Sequence, residues 1–324
     1  MKPRIVLTIG FVVGAAAGAQ AQASNCQGGT PGTPAQITQD ACQKAVDLFQ
    51  YMAPQLGGAI VGGNATLGQG GVLGGLGHFS IGIRANVIQG SVPKINDAAA
   101  TPVPTGARAT TYATSDTPLP MPTADVELGL YRGFPLGLTN VLGLDALASV
   151  AYIPKVDESN VSVEPDNPVK LGYGVRVGLL QESIVTPALS VTYLKRDLPV
   201  LAMTGTASGA TLSVTNFDEE TSAWRIVASK SLIVFGIALG IGQDKYTSSA
   251  SASATSLGQT STSVSVSQEM SRTNVFGDLS LNMPIVKVVL EAGQVTGGAA
   301  PTTLNQFNGK GIVDSRLYGS FGLR

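Results

Sequence analysis

Charge is scarce in this chain: 13% of its 324 residues are Asp, Glu, Lys or Arg, about half the share of an ordinary soluble domain. That argues against an ordinary cytosolic enzyme. A basic excess is missing too, with 20 basic against 21 acidic residues and a formal net charge of −1, so nothing offers nucleic acid an electrostatic footprint. Histidine occurs once, as His78, and cysteine twice, as Cys26 and Cys42. With no CxxC and one distant imidazole a metal site is not expected. Neither is a histidine-based catalytic pairing. No phosphate loop, HExxH or dinucleotide fingerprint occurs in a suitable context, so the chain reads as a non-enzyme without a cofactor. No apolar run reaches the roughly 18 residues of a spanning helix, although mean hydropathy is +0.23 and 44% of residues are hydrophobic. That apolar content excludes intrinsic disorder, and 40 glycines without a period of three exclude collagen.

Lys2 and Arg4 precede an apolar stretch from Ile5 to Ala17 and small-x-small sites ending at Ala21 and Ala23. Residues 1–23 therefore read as a secretory signal peptide. Asn25 before Cys26 argues against lipidation. Export to an oxidising compartment makes Cys26 and Cys42 a candidate disulfide, with two reduced thiols as the alternative. Residues 24–77 form a second unit. Ile37, Ala41, Ala45, Leu48 and Met52 fall at helical spacing over 36–52, predicting a short amphipathic helix, then Pro54 and a glycine-rich linker. This unit is expected either in the periplasm or folded back as a plug.

From residue 78 to 324 the dominant signal is a period of two. It recurs in ten segments: 78–89, 124–132, 142–153, 170–181, 187–196, 221–230, 232–246, 271–282, 285–294 and 312–324. The connections alternate long and short, with long ones at 91–123, 154–169, 197–220, 247–270 and 295–311. Short turns on one side and long loops on the other, joined to strands of about ten residues, are the pattern of an outer-membrane barrel. The expected fold is all-β: a closed antiparallel transmembrane β-barrel of ten strands, with 208–217 and 261–269 either extending strands beyond the bilayer or adding a pair to make twelve. The Ser- and Pro-rich loops are expected to be exposed tips. Both termini would lie in the periplasm and the long loops outside the cell.

No Asp, Glu, Lys or Arg appears in the interior of any of the ten apolar faces. The opposite faces point Arg84, Asp125, Glu127, Asp145, Lys170, Arg176, Arg225, Arg272, Asp278, Lys287, Glu291, Asp314 and Arg316 into the lumen. Their charges nearly cancel, which favours internal pairing over an ion-selective ring. Outward aromatics fall at the two ends of the strands, with Tyr152, Tyr173, Tyr193 and Trp224 near the loops and Phe79, Phe235 and Phe321 near the turns. Such girdles are expected at membrane interfaces.

The pattern over 78–324 resembles bacterial outer-membrane β-barrel proteins, an uncharacterised family of this size with a helical N-terminal segment. More loosely, the Gly/Ala-rich stretch before the first strand is similar to that of long-chain fatty-acid transporter barrels. Those carry Asn-Pro-Ala in the hatch where this chain has Asn64, Ala65 and Thr66. The resemblance implies a porin-like transport role in the outer membrane, passing or binding a small or hydrophobic solute. The alternative is a closed structural or adhesive barrel whose long loops bind an external partner. Expected partners are outer-membrane lipid, the barrel assembly machinery and such a solute, with no nucleic acid.

Overall fold

The computed structural model describes residue 26 and residues 34–95, 110–158, 161–207 and 209–324. The expected signal peptide and much of the expected loop at 91–123 lie outside them.

The chain opens with one helix, α1 (Pro34–Val61). It is far longer than the segment 36–52, and Pro54 sits inside it. Proline removes one N–H, which orphans the carbonyl of Gln50 four residues earlier. Gln268 Nε2 donates to that oxygen instead, at 3.4 Å. The helix ends at Gly62, whose φ of +63° provides a left-handed cap. Cys26 and Cys42 are joined by a disulfide.

Strands follow in chain order: β1 (Phe79–Pro93), β2 (Thr114–Tyr131), β3 (Phe134–Leu136), β4 (Thr139–Val141), β5 (Gly143–Tyr152), β6 (Val156–Glu158), β7 (Val161–Pro165) and β8 (Val169–Leu180). Then come β9 (Ala188–Arg196), β10 (Leu201–Ala207), β11 (Ala210–Leu232), β12 (Phe235–Ser256), β13 (Gln259–Thr260), β14 (Val264–Asn282), β15 (Lys287–Thr296) and β16 (Arg316–Leu323). All pairings between them are antiparallel.

The expected barrel of ten or twelve strands needs correction. The main sheet has fourteen strands in the order β13-β12-β14-β15-β16-β1-β2-β5-β8-β9-β11-β10-β7-β6. It therefore ends in two free strands, β13 and β6, instead of closing as one uniform ring. Within it a further pairing joins β11 to β12, from Ala210↔Ser256 to Leu232↔Phe235. Ten strands thus follow one another in a cycle of pairings, and β6, β7, β10 and β13 stand outside that cycle. β3 and β4 form a separate hairpin.

The expected loop tips are also corrected. β11 and β12 run for 23 and 22 residues, so the Ser-rich stretch is largely strand. Its alternating Ser and Ala explain this: Ala250, Ala252 and Ala254 are buried beside α1, with the Cys42 sulfur 4.0 Å from the Ala252 carbonyl. A small apolar residue at every second position lets a helix lie close to the strand. The Pro-rich stretch joins β2, where Pro118, Pro120 and Pro122 pair with Gln89, Val87 and Ala85. β5 takes up the second edge of β2 only from Thr123 onward, so no second ladder needs donors at those prolines.

The two faces differ sharply. Outward side chains such as Phe79, Leu171 and Leu239 are 67%, 71% and 62% exposed. Inward, α1 packs against β11 and β12, with Phe49 edge-on to Phe217 at 5.5 Å and Tyr51 stacked on Phe307 at 4.0 Å. No helix among the described residues is long and apolar enough to cross a membrane.

Candidate functional site

The interior is organised around the chain leaving α1. A helix C-terminus presents carbonyls without partners and a partial negative charge, and three arginines meet it. Arg196 Nη1 donates to the Val61 carbonyl at 3.0 Å. Arg225 donates to those of Gly62 and Gly63 at 3.1 and 3.0 Å, and Arg84 to that of Asn64 at 2.6 Å. Each arginine is also paired: Arg84 and Arg196 share Asp125 at 2.9 and 2.7 Å, and Arg225 meets Asp244 at 2.5 Å.

Beyond the helix, carboxylates hold the amides. Glu291 accepts from the Asn64 N–H at 2.6 Å. Asp278 accepts from Asn64 Nδ2 at 2.6 Å and the Gly68 N–H at 2.8 Å, and Asp145 from the Leu73 N–H at 3.1 Å. Arg176 ties this row together, bonding Asp145 at 2.6 Å, Glu127 at 3.3 Å and the Thr66 hydroxyl. Arg324 bonds Glu127 as well. Cations therefore grip the carbonyls of residues 61–64, and anions grip amides between 64 and 73. Glycine makes room for this segment: a Cβ at Gly63 would lie 2.4 Å from the Tyr318 hydroxyl.

Burial shifts some of these groups. Asp278 is pushed up to about 8, by its desolvation first and the neighbouring Glu291 charge second, against the pull of its Asn64 and Gly68 donors. Glu219, on β11, is pushed up to about 8 by desolvation. Its carboxyl faces α1 where Gly57 leaves space, and only the Ser248 hydroxyl opposes the effect of burial. Burial also raises Asp47, on α1, against donors from Asn305 and Gln43.

Of the residues expected to line a lumen, Arg84, Asp125, Glu127, Asp145, Arg176, Arg225, Asp278 and Glu291 converge on this segment. Lys287 is half-buried and reaches the Gly68 carbonyl at 3.4 Å. Arg272 and Arg316 are buried but stand apart: Arg272 donates to the carbonyls of Gly297, Val313 and Asp314, and Arg316 to that of Gln89. Lys170 is half-buried and makes no interior bond among the described residues. Asp314 needs correction: it is exposed and accepts from the Gly311 N–H in a turn. The aromatics Phe79, Tyr152, Tyr173, Tyr193, Trp224, Phe235 and Phe321 are exposed on the outer face.

Arg196, Asp244, Asn274 and Arg324 were missed in the sequence. The first two lie on the inward register of segments 187–196 and 232–246, with Ser190-Thr192 and Gly240-Gly242, so the same alternation carried to the segment ends finds them. Asn274 lies on the inward register with Arg272 and Asp278, but only the structure shows that it donates to the Gly62 carbonyl, at 2.9 Å.

No family model matches this chain, and no curated protein does. One solved structure, the outer-membrane expressed OmpT of Vibrio cholerae, aligns over 76% of this chain and 97% of that chain with 7% identity and a TM-score of 0.17. A likeness of that size carries no argument. The expected membership of an outer-membrane barrel family, and the similarity to fatty-acid transporter barrels, are therefore withdrawn. The transport expectation is corrected by the interior, which is occupied by the chain's own residues. The adhesive alternative is corrected with the closed barrel it assumed, since the main sheet ends in the free strands β13 and β6. Outer-membrane placement, lipid, the assembly machinery and a transported solute were drawn from the simple closed barrel and are not carried further.

Proposed function

We propose that this chain is a non-catalytic, self-filled β scaffold whose interior segment is locked in place by its charge network. The observation that carries this reading is the sorting of partners along residues 61–73, where arginines take the carbonyls and carboxylates take the amides. A buried charge pair is no cheap source of stability, but such pairs impose one arrangement on groups that would otherwise be unsatisfied. The non-catalytic reading is supported by the engagement of the carboxylates around residues 61–73 with arginines or backbone amides, and by the place of the sole imidazole outside that network. Hydrogen exchange tests the lock. The amides of Asn64, Gly68 and Leu73 are expected to be protected as strongly as those of β8; exchange at the rate of an exposed connection overturns the reading.

A further inference from the structure

Four carboxylates of the interior network have a cation against them: Asp125, Glu127, Asp145 and Asp244 each meet an arginine. Asp278 and Glu291 have none among the described residues. They are directly paired residues of the β14–β15 ladder, both buried. Glu291 accepts from the Asn64 N–H and, at 2.8 Å, from the Ser320 hydroxyl. Asp278 Oδ2 accepts from Asn64 Nδ2 and the Gly68 N–H. Asp278 Oδ1 is buried and receives no N–H or O–H of the described residues. Besides those donors, the group within hydrogen-bond reach of Asp278 is the Glu291 carboxyl itself. Two carboxyl groups in contact are both acceptors unless one carries a proton, and two like charges held together away from water strongly disfavour a second ionisation.

The surroundings do not supply the missing positive charge. Lys287 of β15 points at the Gly68 carbonyl, and burial and the Arg324 charge lower its pKa. Arg84 of β1, Arg196 of β9 and Arg225 of β11 are taken up by Asp125, Asp244 and the carbonyls of residues 61–64. Asp244 of β12 adds a further negative charge. Tyr318 of β16 donates to Asn274, and burial holds its hydroxyl well above the usual range. We propose that one proton shared by Asp278 and Glu291 is the latch of the interior segment: it lets the pair seat Asn64 and Gly68, and the segment lifts from the pair by releasing that proton. The inference rests on the locked interior proposed above and adds what unlocks it. The ladder fixes both strands, so the two carboxyls cannot part, and the piece that can yield to admit water is the segment lying over them. Burial and the Glu291 charge push Asp278 from its ordinary value of 3.8 up to about 8. Between those limits the seated state keeps the proton and the lifted state loses it, so the seat weakens as pH rises through the window and stops weakening above it.

Residue-resolved hydrogen exchange of the full chain, kept as a single species in mild detergent, tests this. After division by the intrinsic rate at each pH, the protection of the Asn64 and Gly68 amides is expected to fall about tenfold per pH unit from about pH 5 to about pH 8, the slope of one released proton, and then to level off. Leu73, held by Asp145 against Arg176, is expected to stay flat. Asp278→Asn keeps an acceptor for Asn64 and Gly68 and replaces the proton by an amide donor toward Glu291. It should abolish the slope and leave the protection at the acid end unchanged. Glu291→Gln removes the neighbouring charge and should move the levelling point down by about one pH unit or more, whereas Glu219→Gln and Lys287→Gln should keep both slope and levelling point. The latch is overturned by flat protection at Asn64 and Gly68, by an equal slope at Leu73, or by a slope that survives Asp278→Asn. A levelling point unmoved by Glu291→Gln overturns the sharing, and loss of the slope in Glu219→Gln or Lys287→Gln assigns the proton elsewhere. Protection that is present but flat sinks the latch alone; its absence even at the acid end sinks the locked interior and the latch with it.

Discussion

Arg225 sits 1% exposed beside an Asp244 that is wholly buried, and neither side chain has water to fall back on. Removing one partner of such a pair leaves the other charged and unpaired, which typically costs about 3–5 kcal/mol. Arg225→Met is expected to lower the unfolding free energy by that amount, read from the denaturant midpoint. The double replacement with Asp244→Leu should recover most of the loss; if it is no better than the single variant, the pair is not what holds this wall. Glu219 makes a different prediction. Its folded pKa of about 8 lies above its ordinary value of 4.5, so below about pH 4.5 the group is neutral folded or unfolded. As pH rises from there the unfolded state gains by ionising while the native state cannot, and stability declines until the folded pKa is passed. At about 1.4 kcal/mol per pH unit, the loss amounts to about 5 kcal/mol across that window. Thermal unfolding between pH 4.5 and 8.5 should therefore be distinctly less pH-dependent in Glu219→Gln, with the contribution of Asp278 remaining; identical slopes would exclude this role for Glu219.

At the scale of elements, α1 shows what a local reading leaves out. Its apolar spacing over 36–52 is legible, and Pro54 is a sound reason to stop. The helix nevertheless continues to Val61, because Gln268 on β14 repairs the broken bond and Gly57 and Gly58 lie against Glu219, Tyr246 and Ile88. Tertiary packing outweighs propensity there. The start of α1 is fastened covalently, and a loop closed across 16 residues is worth about 3 kcal/mol in the chain-entropy model. Cys42→Ser is expected to lower stability by about that much, while reducing agent should leave that variant unchanged. A failure of reductant to destabilise the parent chain would show that the bond contributes nothing. Further on, a Cβ at Gly129 would come 2.4 Å from the Gly75 carbonyl. Gly129→Ala should push the connecting segment from its seat, seen as faster proteolysis within residues 68–77.

For the whole molecule, the outer face is the feature with the widest consequence. Phe79, Ile81 and Ile83 on β1, Leu171 and Tyr173 on β8, and Phe235, Ile237, Leu239 and Ile241 on β12 are all well exposed, far beyond the scattered apolar residues of an ordinary surface. In plain buffer the isolated chain is expected to self-associate, and a mild detergent should return it to a single species by light scattering; a stable monomer in plain buffer would mean that this face is covered in some other way. That face was legible from residue order, because side chains on a strand alternate strictly and the inward set carries most of the charges, the outward ones such as Lys245 and Glu269 lying beyond the apolar stretch of their strands. The places of most strands in the chain follow from the same alternation. The number of strands in the main sheet, its free ends at β6 and β13, and the long reach of β11 and β12 do not, since Ser/Ala alternation carries little hydropathy contrast and becomes strand only where α1 packs against it. Residue order likewise determined which charges point inward, but not their partners. Only the tertiary structure brings Asn64 to Asp278 and Glu291, and Arg225 to the end of α1, because those contacts join residues more than 150 positions apart and depend on where the helix comes to rest.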